Sequence, residues 1–202
     1  MPRLPRVALP CATMLPLAIA LVAAAPVGAQ QAADGAPAPP PTQPAVRHPC
    51  PTDPEARRFD FWIGSWDVTV GGRPAGTNEV ELLLEQCLLL ENWRDVRGGL
   101  GKSFNFWDRG TRVWRQVWVA DNGNVLDYTG AFRDGAMRFE GATIGPDGQR
   151  VLQRLTFFPV AADTVRQLFE SSADGGRTWT PGFDGLYVRR PGTARQSSPP
   201  SP

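Results

Sequence analysis

Val113-Trp114-Arg115-Gln116-Val117-Trp118-Val119-Ala120, held between the turn signals Asp108-Arg109-Gly110 and Asp121-Asn122-Gly123, decides the fold class. β-branched and aromatic residues dominate it, and they suit a pleated, half-buried surface. Successive side chains of a strand point to opposite faces. Trp114, Gln116, Trp118 and Ala120 therefore share one face, and Val113, Arg115, Val117 and Val119 share the other. The same punctuation continues on both sides: Gly71-Gly72, Gly98-Gly99, Arg133-Asp134-Gly135, Gly145-Pro146-Asp147-Gly148, Ala162-Asp163 and Asp174-Gly175-Gly176. The segments between are rich in Val, Thr, Trp, Phe and Tyr. Short strands at even spacing with tight turns predict an all-β fold, an antiparallel up-and-down meander of about 9–10 strands closed as a barrel.

Composition changes sharply at both ends of this pattern. Residues 1–29 read as a signal peptide. Arg3 and Arg6 form a short positive region, an apolar run extends from Met14 to Ala25, and Val27-Gly28-Ala29 has the small residues of a cleavage site. The apolar run is short for a membrane span. Cys11 follows Pro10, which a lipoprotein signal does not favour. Residues 30–54 carry eight prolines and form a Pro/Ala-rich linker. Residues 55–190 hold all seven tryptophans and only four prolines, and are the barrel domain. Residues 191–202, rich in proline and serine, read as a disordered tail.

Removing Arg3 and Arg6 with the signal leaves 19 of the 21 basic residues against 20 acidic ones. With no polybasic run, nucleic acid is not an expected partner, nor is a membrane once the signal is cleaved. Cleavage also leaves two cysteines, Cys50 and Cys87. An exported chain with one such pair is read most simply as carrying a disulfide, the alternative being two buried thiols.

The segment from Asn78 to Trp93 is ambiguous. Val80, Leu83, Leu84, Cys87 and Leu88 have helical spacing, and Asn78 with Glu81 fits a capping box. Read as a strand, Val80, Leu82, Leu84, Gln86, Leu88 and Leu90 face inward, and Cys87 faces outward. The neighbouring strands favour the second reading.

Phe59-Asp60-Phe61-Trp62-Ile63-Gly64-Ser65-Trp66 resembles the Gly-x-Trp opening of lipocalins and related calycin barrels. That resemblance implies structural roles for Gly64 and Trp66, with Trp66 closing the barrel base against Arg189 or Arg190 by cation–π contact. Leu89-Leu90-Glu91-Asn92-Trp93, Lys102-Ser103-Phe104-Asn105-Phe106, Gln116-Val117-Trp118-Val119, Val165-Arg166-Gln167 and Phe183-Asp184-Gly185-Leu186-Tyr187 extend the likeness. Together they resemble a family of exported bacterial proteins built on a domain of unknown function. The resemblance implies a secreted, calycin-like barrel and brings no activity with it. Ser172-Ala173-Asp174-Gly175-Gly176-Arg177-Thr178-Trp179 is similar to the Asp-box of sialidases. A single copy is expected to act as a hairpin device, since a propeller needs several.

The chain's single histidine, His48, precedes the barrel. Ser-His and Cys-His catalytic pairs are thereby excluded from the barrel, as are the usual zinc site and a His-ligated haem, so neither metal nor cofactor is expected. Carboxylate chemistry stays open through Glu91, Asp127, Glu140, Glu170 and Asp184, although most such groups in a barrel face solvent or pair with arginines. The aromatic and amide residues Asn105, Trp107, Trp114, Gln116, Trp118, Tyr128, Arg154, Gln167 and Glu170 are the candidate ligand-binding set. They have the composition of an apolar pocket with a few orienting polar groups. The expected function is that of an exported, periplasmic or secreted barrel binding a small apolar or amphipathic ligand in its interior. The alternatives are a carboxylate- and Arg-based isomerase or hydrolase, and a non-catalytic structural or interaction module with a filled interior.

Overall fold

The computed structural model describes residues 48–192. The signal peptide, its cleavage after Ala29, most of the linker and the C-terminal tail lie outside the described residues. Ten antiparallel strands follow one another in the order of the chain and close on themselves, β1 pairing with both β2 and β10. They are β1 (Gly64–Val70), β2 (Arg73–Leu83), β3 (Leu88–Asp95), β4 (Leu100–Asp108), β5 (Val113–Ala120), β6 (Val125–Arg133), β7 (Ala136–Ile144), β8 (Arg150–Ala161), β9 (Thr164–Ser172) and β10 (Thr180–Arg189). The fold is thus an up-and-down barrel, and closure leaves no strand edge unpaired. Pro74, Pro159 and Pro181 sit where the pairing slips register, the places in a sheet that tolerate a residue without an N–H.

Three short 3-10 turns, Cys50–Thr52, Glu55–Arg57 and Asp60–Trp62, precede β1 and cap one end of the barrel. Phe59 and Trp62 are fully buried there, stacked at 5.0 Å, and both rings lie against Phe157. Trp114 donates its indole N–H to the Glu55 carbonyl and meets Phe59 edge-on. Residues 48–54, read from their prolines as spacer, pack here as well: Cys50 is buried and disulfide-bonded to Cys87, with Cα atoms 5.1 Å apart. The bond fits an oxidising compartment. No described helix is long and apolar enough to cross a membrane.

The Gly-x-Trp element closes the same end. Trp66 is fully buried and donates to the Trp62 carbonyl, and the Arg189 guanidinium lies 4.1 Å over its ring. Arg189 also donates to the Ile63 carbonyl. Gly64 makes that approach possible: its φ is +131°, and a Cβ there would stand 2.0 Å from Arg189 Nη1.

One expectation fails. Asn78–Trp93 is neither a helix nor one strand but a hairpin, β2 and β3 joined by residues 84–87. Leu84, Glu85 and Gln86 all adopt positive φ, an uncommon conformation for non-glycine residues, and no Gly, Asn, Asp or Pro announces the turn. Tertiary contacts hold it: Arg57 donates to both the side chain and the carbonyl of Gln86, and Cys87 carries the disulfide. The turn also reverses the facing of β3 relative to the single-strand reading. Leu89 and Glu91 are buried inward, whereas Leu84, expected inside, is 72% exposed.

Candidate functional site

The half of the barrel away from the 3-10 turns is hollow. A cavity of about 660 Å³ opens between the β1–β2, β3–β4, β5–β6 and β9–β10 ends of the strands. That volume lies within the ~300–1,000 Å³ usual for small-molecule pockets. Its walls are largely aromatic: Trp93, Trp118, Tyr128, Phe169, Phe183 and Tyr187. Two of these rings lie against glycines on the adjacent strand. A Cβ on Gly76 would fall 2.7 Å from the Trp93 ring, and one on Gly101 would fall 2.0 Å from Trp118. The missing side chains let both indoles fold back onto the wall.

The floor is polar, and its hydrogen bonds run in one direction toward Glu91. Gln116 Nε2 donates to Asn105 Oδ1 at 2.6 Å, and Asn105 Nδ2 donates to Ser103 Oγ at 2.8 Å. Ser103 Oγ donates to Glu91 Oε2 at 2.5 Å, and Asn78 Nδ2 donates to Glu91 Oε1 at 3.0 Å. The orientation of Asn105 is set by chemistry, since its Nδ2 also approaches the Leu89 carbonyl, which can only accept. Glu91 is 4% exposed and faces the cavity. Burial raises its pKa to about 7, against the opposing pull of the Ser103 and Asn78 hydrogen bonds. Across the lumen, Tyr187 donates to Gln167 Oε1, and Tyr128 donates to Gln153 Oε1 at 2.9 Å. Burial raises both phenols above their ordinary range, and the Glu91 charge raises Tyr187 further.

Comparison with protein-family models and with curated proteins returned no match. The coarse part of the resemblance, an antiparallel barrel, stands on the fold itself.

The nine candidate residues divide by position. The β5 face carrying Trp114, Gln116 and Trp118 points inward, with Trp114 at 1% exposure, while Phe104 on the opposite face of β4 is 52% exposed. Gln116, Trp118, Tyr128 and Gln167 line the cavity. Asn105 lies directly beneath, bonded to Gln116. Trp107 and Trp114 also point inward, but they are opposite one another in register at the packed end and belong to the core. Arg154 and Glu170 lie away from the cavity: they form a bidentate ion pair on the outer wall, where Arg154 lies 4.2 Å over Trp179. The cause is alternation itself. Gln153 and Leu155 on β8 point inward, so Arg154 between them points out.

Of the five carboxylates singled out, four are held on the outer wall by arginines: Asp127 by Arg115, Glu140 by Arg133, Glu170 by Arg154 and Asp184 by Arg166. Glu91 is the exception. Sequence reasoning named it without placing it in the pocket, because its facing depends on the unannounced turn at 84–87. The Asp-box stretch forms the β9–β10 hairpin: Asp174 accepts from the Thr178 backbone and hydroxyl and from Ser172, with Gly175 and Gly176 at positive φ.

Proposed function

We propose that this protein binds a small apolar or amphipathic molecule inside the barrel, as an exported, non-catalytic carrier or receptor. The observation that carries this reading is the 660 Å³ cavity, walled by aromatic rings over a buried polar floor. An interior evolved only for stability is packed without voids of this size. The disulfide, the signal-like N-terminus and the resemblance to exported barrel proteins support work outside the cytoplasm. Titration with N-phenyl-1-naphthylamine, a neutral apolar fluorophore, tests the pocket, and mass spectrometry of molecules co-purified from the native host identifies its contents. Saturable one-to-one enhancement is the expected result; fluorescence that rises without saturation marks surface adsorption and overturns the reading.

A second reading, a barrel isomerase or hydrolase, draws on Glu91 alone, a buried carboxylate that titrates near neutrality and could serve as a general base. Turnover of a co-purified molecule, lost in Glu91→Gln, is the result that would favour it.

A further inference from the structure

The hydrogen-bond inventory of the cavity floor specifies more than an apolar guest. From Gln116 through Asn105 and Ser103 to Glu91, every donor points toward the carboxylate, and Asn78 donates to it from the other side. Gln116 lines the cavity and donates one Nε2 hydrogen to Asn105, which leaves its carbonyl oxygen and one N–H uncommitted. Asn78 Oδ1, on the amide that donates to Glu91, is buried and has no donor. Glu91 itself has two donors for a group that accepts about four hydrogen bonds. The floor therefore has more unused acceptor positions, centred on the Glu91 carboxylate, than unused donors.

The charge is equally one-sided. Glu91 takes part in none of the ion pairs among the described residues, although Asp127, Glu140, Glu170 and Asp184 all have an arginine. The groups that face it are Asn78 from β2, Ser103 from β4 and Tyr187 from β10. Tyr128 lines the same cavity, and the remaining charged residues lining it, Asp95 and Arg97, have opposite signs and stand at the end of β3 and in the loop beyond it. Asp95 accepts from the backbone amides of Arg97 and Gly99. The described residues hold no cluster suited to a metal ion. A donor-bearing cation with an apolar body fits the remaining valences: its ammonium meets Glu91, and its body meets the aromatic faces, which themselves attract cations.

Resting on the ligand-binding reading above, we infer that the ligand is an organic amine, protonated and apolar-bodied, whose ammonium group pairs with Glu91 at the cavity floor. Burial of the carboxylate fits this assignment. An unpaired carboxylate is disfavoured in such a site, so a guest that brings the countercharge gains from the pairing.

The test is a competition at about pH 8, with N-phenyl-1-naphthylamine as charge-blind reporter and three probes of one shape: 4-phenylbutylamine, 4-phenylbutan-1-ol and 4-phenylbutyrate. The amine should bind at least about tenfold more tightly than the alcohol, as a charge-assisted hydrogen bond implies, and the butyrate should bind weakest. Glu91→Gln should bring amine and alcohol to within about twofold of each other. In the unmodified protein the amine's advantage should shrink between about pH 8 and pH 5, as Glu91 takes up its proton. This series decides the matter should the variant not fold. Equal or tighter binding of the alcohol at about pH 8 overturns the inference, as does an advantage that persists unchanged in the variant or across the pH range. Reporter binding without amine preference removes this inference alone. Failure of the reporter and all three probes removes the pocket reading with it.

Discussion

The two halves of this barrel are made from the same ten alternating strands, yet one is solid and the other hollow. At the closed end, large rings come from three sources at once: the segment before β1 contributes Phe59 and Trp62, β1 contributes Trp66, and the strands opposite contribute Trp114, Phe139 and Phe157. No described chain segment enters the open end. Its rings fold onto glycines of the neighbouring strand, as Trp93 does over Gly76 and Trp118 over Gly101. Polarity divides the same way, with Glu91, Asn105 and Gln116 forming the boundary between the two halves. A ten-strand circumference thus has more interior than its own side chains fill. A plug stabilises one end, and the other end is left open.

This contrast makes predictions of graded size. The largest loss is expected for Trp66→Ala, at about 3–5 kcal/mol in urea unfolding, because truncation empties a site packed on all sides and removes the seat of Arg189. A loss near zero would break the assignment of a solid end. Replacing Cys50 and Cys87 together by Ser should cost up to about 4 kcal/mol, the chain-entropy value for a loop spanning a separation of 37 residues. Unchanged unfolding under reducing conditions would show that the plug holds without its staple.

Glu91 should set a pH dependence of opposite sign to that of a salt-bridged carboxylate. Its pKa is raised in the fold, from 4.5 to about 7, so the native state binds the proton more tightly than the unfolded chain. The contribution of Glu91 to stability is therefore greatest below about pH 4.5, falls as the pH rises toward 7, and levels off above, for a total of at most about 3 kcal/mol. Asp60, raised to about 6 by burial at the plug, acts in the same direction, so the comparison that isolates Glu91 is the difference between the unmodified protein and Glu91→Gln. Identical pH profiles of the two would show that water reaches Glu91 freely. The smallest effect is expected for Trp118→Ala. Its ring already borders open space, so little new void forms and the loss should stay below about 2 kcal/mol, while reporter affinity falls.

Period-two alternation carried most of the architecture from sequence. It placed Trp114, Gln116 and Trp118 on one inward face, and the recurring turn signals fixed the meander. The same rule was enough to separate Gln167 from Glu170: residues three apart on a strand cannot share a face, and only Gln167 lines the cavity. What sequence could not show was the turn at Leu84–Gln86. Its positive φ values are imposed by Arg57 and the disulfide, contacts from about thirty residues upstream, and no turn-forming residue marks it. The facing of Glu91, and with it the polarity of the pocket, depends on that turn. The boundary between solid and hollow halves was equally hidden, because it depends on which rings lie over glycines in adjacent strands.

If the half bounded by Glu91, Trp118 and Leu126 is a hollow binding chamber, filling it should weaken binding without unfolding the barrel. Leu126→Trp places an indole in the lumen at a half-buried wall position, well away from the plug. N-phenyl-1-naphthylamine titrations of this variant and of the unmodified protein, run beside urea unfolding of both, give the answer. Affinity reduced at least about tenfold with stability changed by less than about 1 kcal/mol is the predicted result, since an added ring enters empty space rather than an already packed core. Unchanged affinity would contradict the account, because the fluorophore would then be binding somewhere other than the barrel interior.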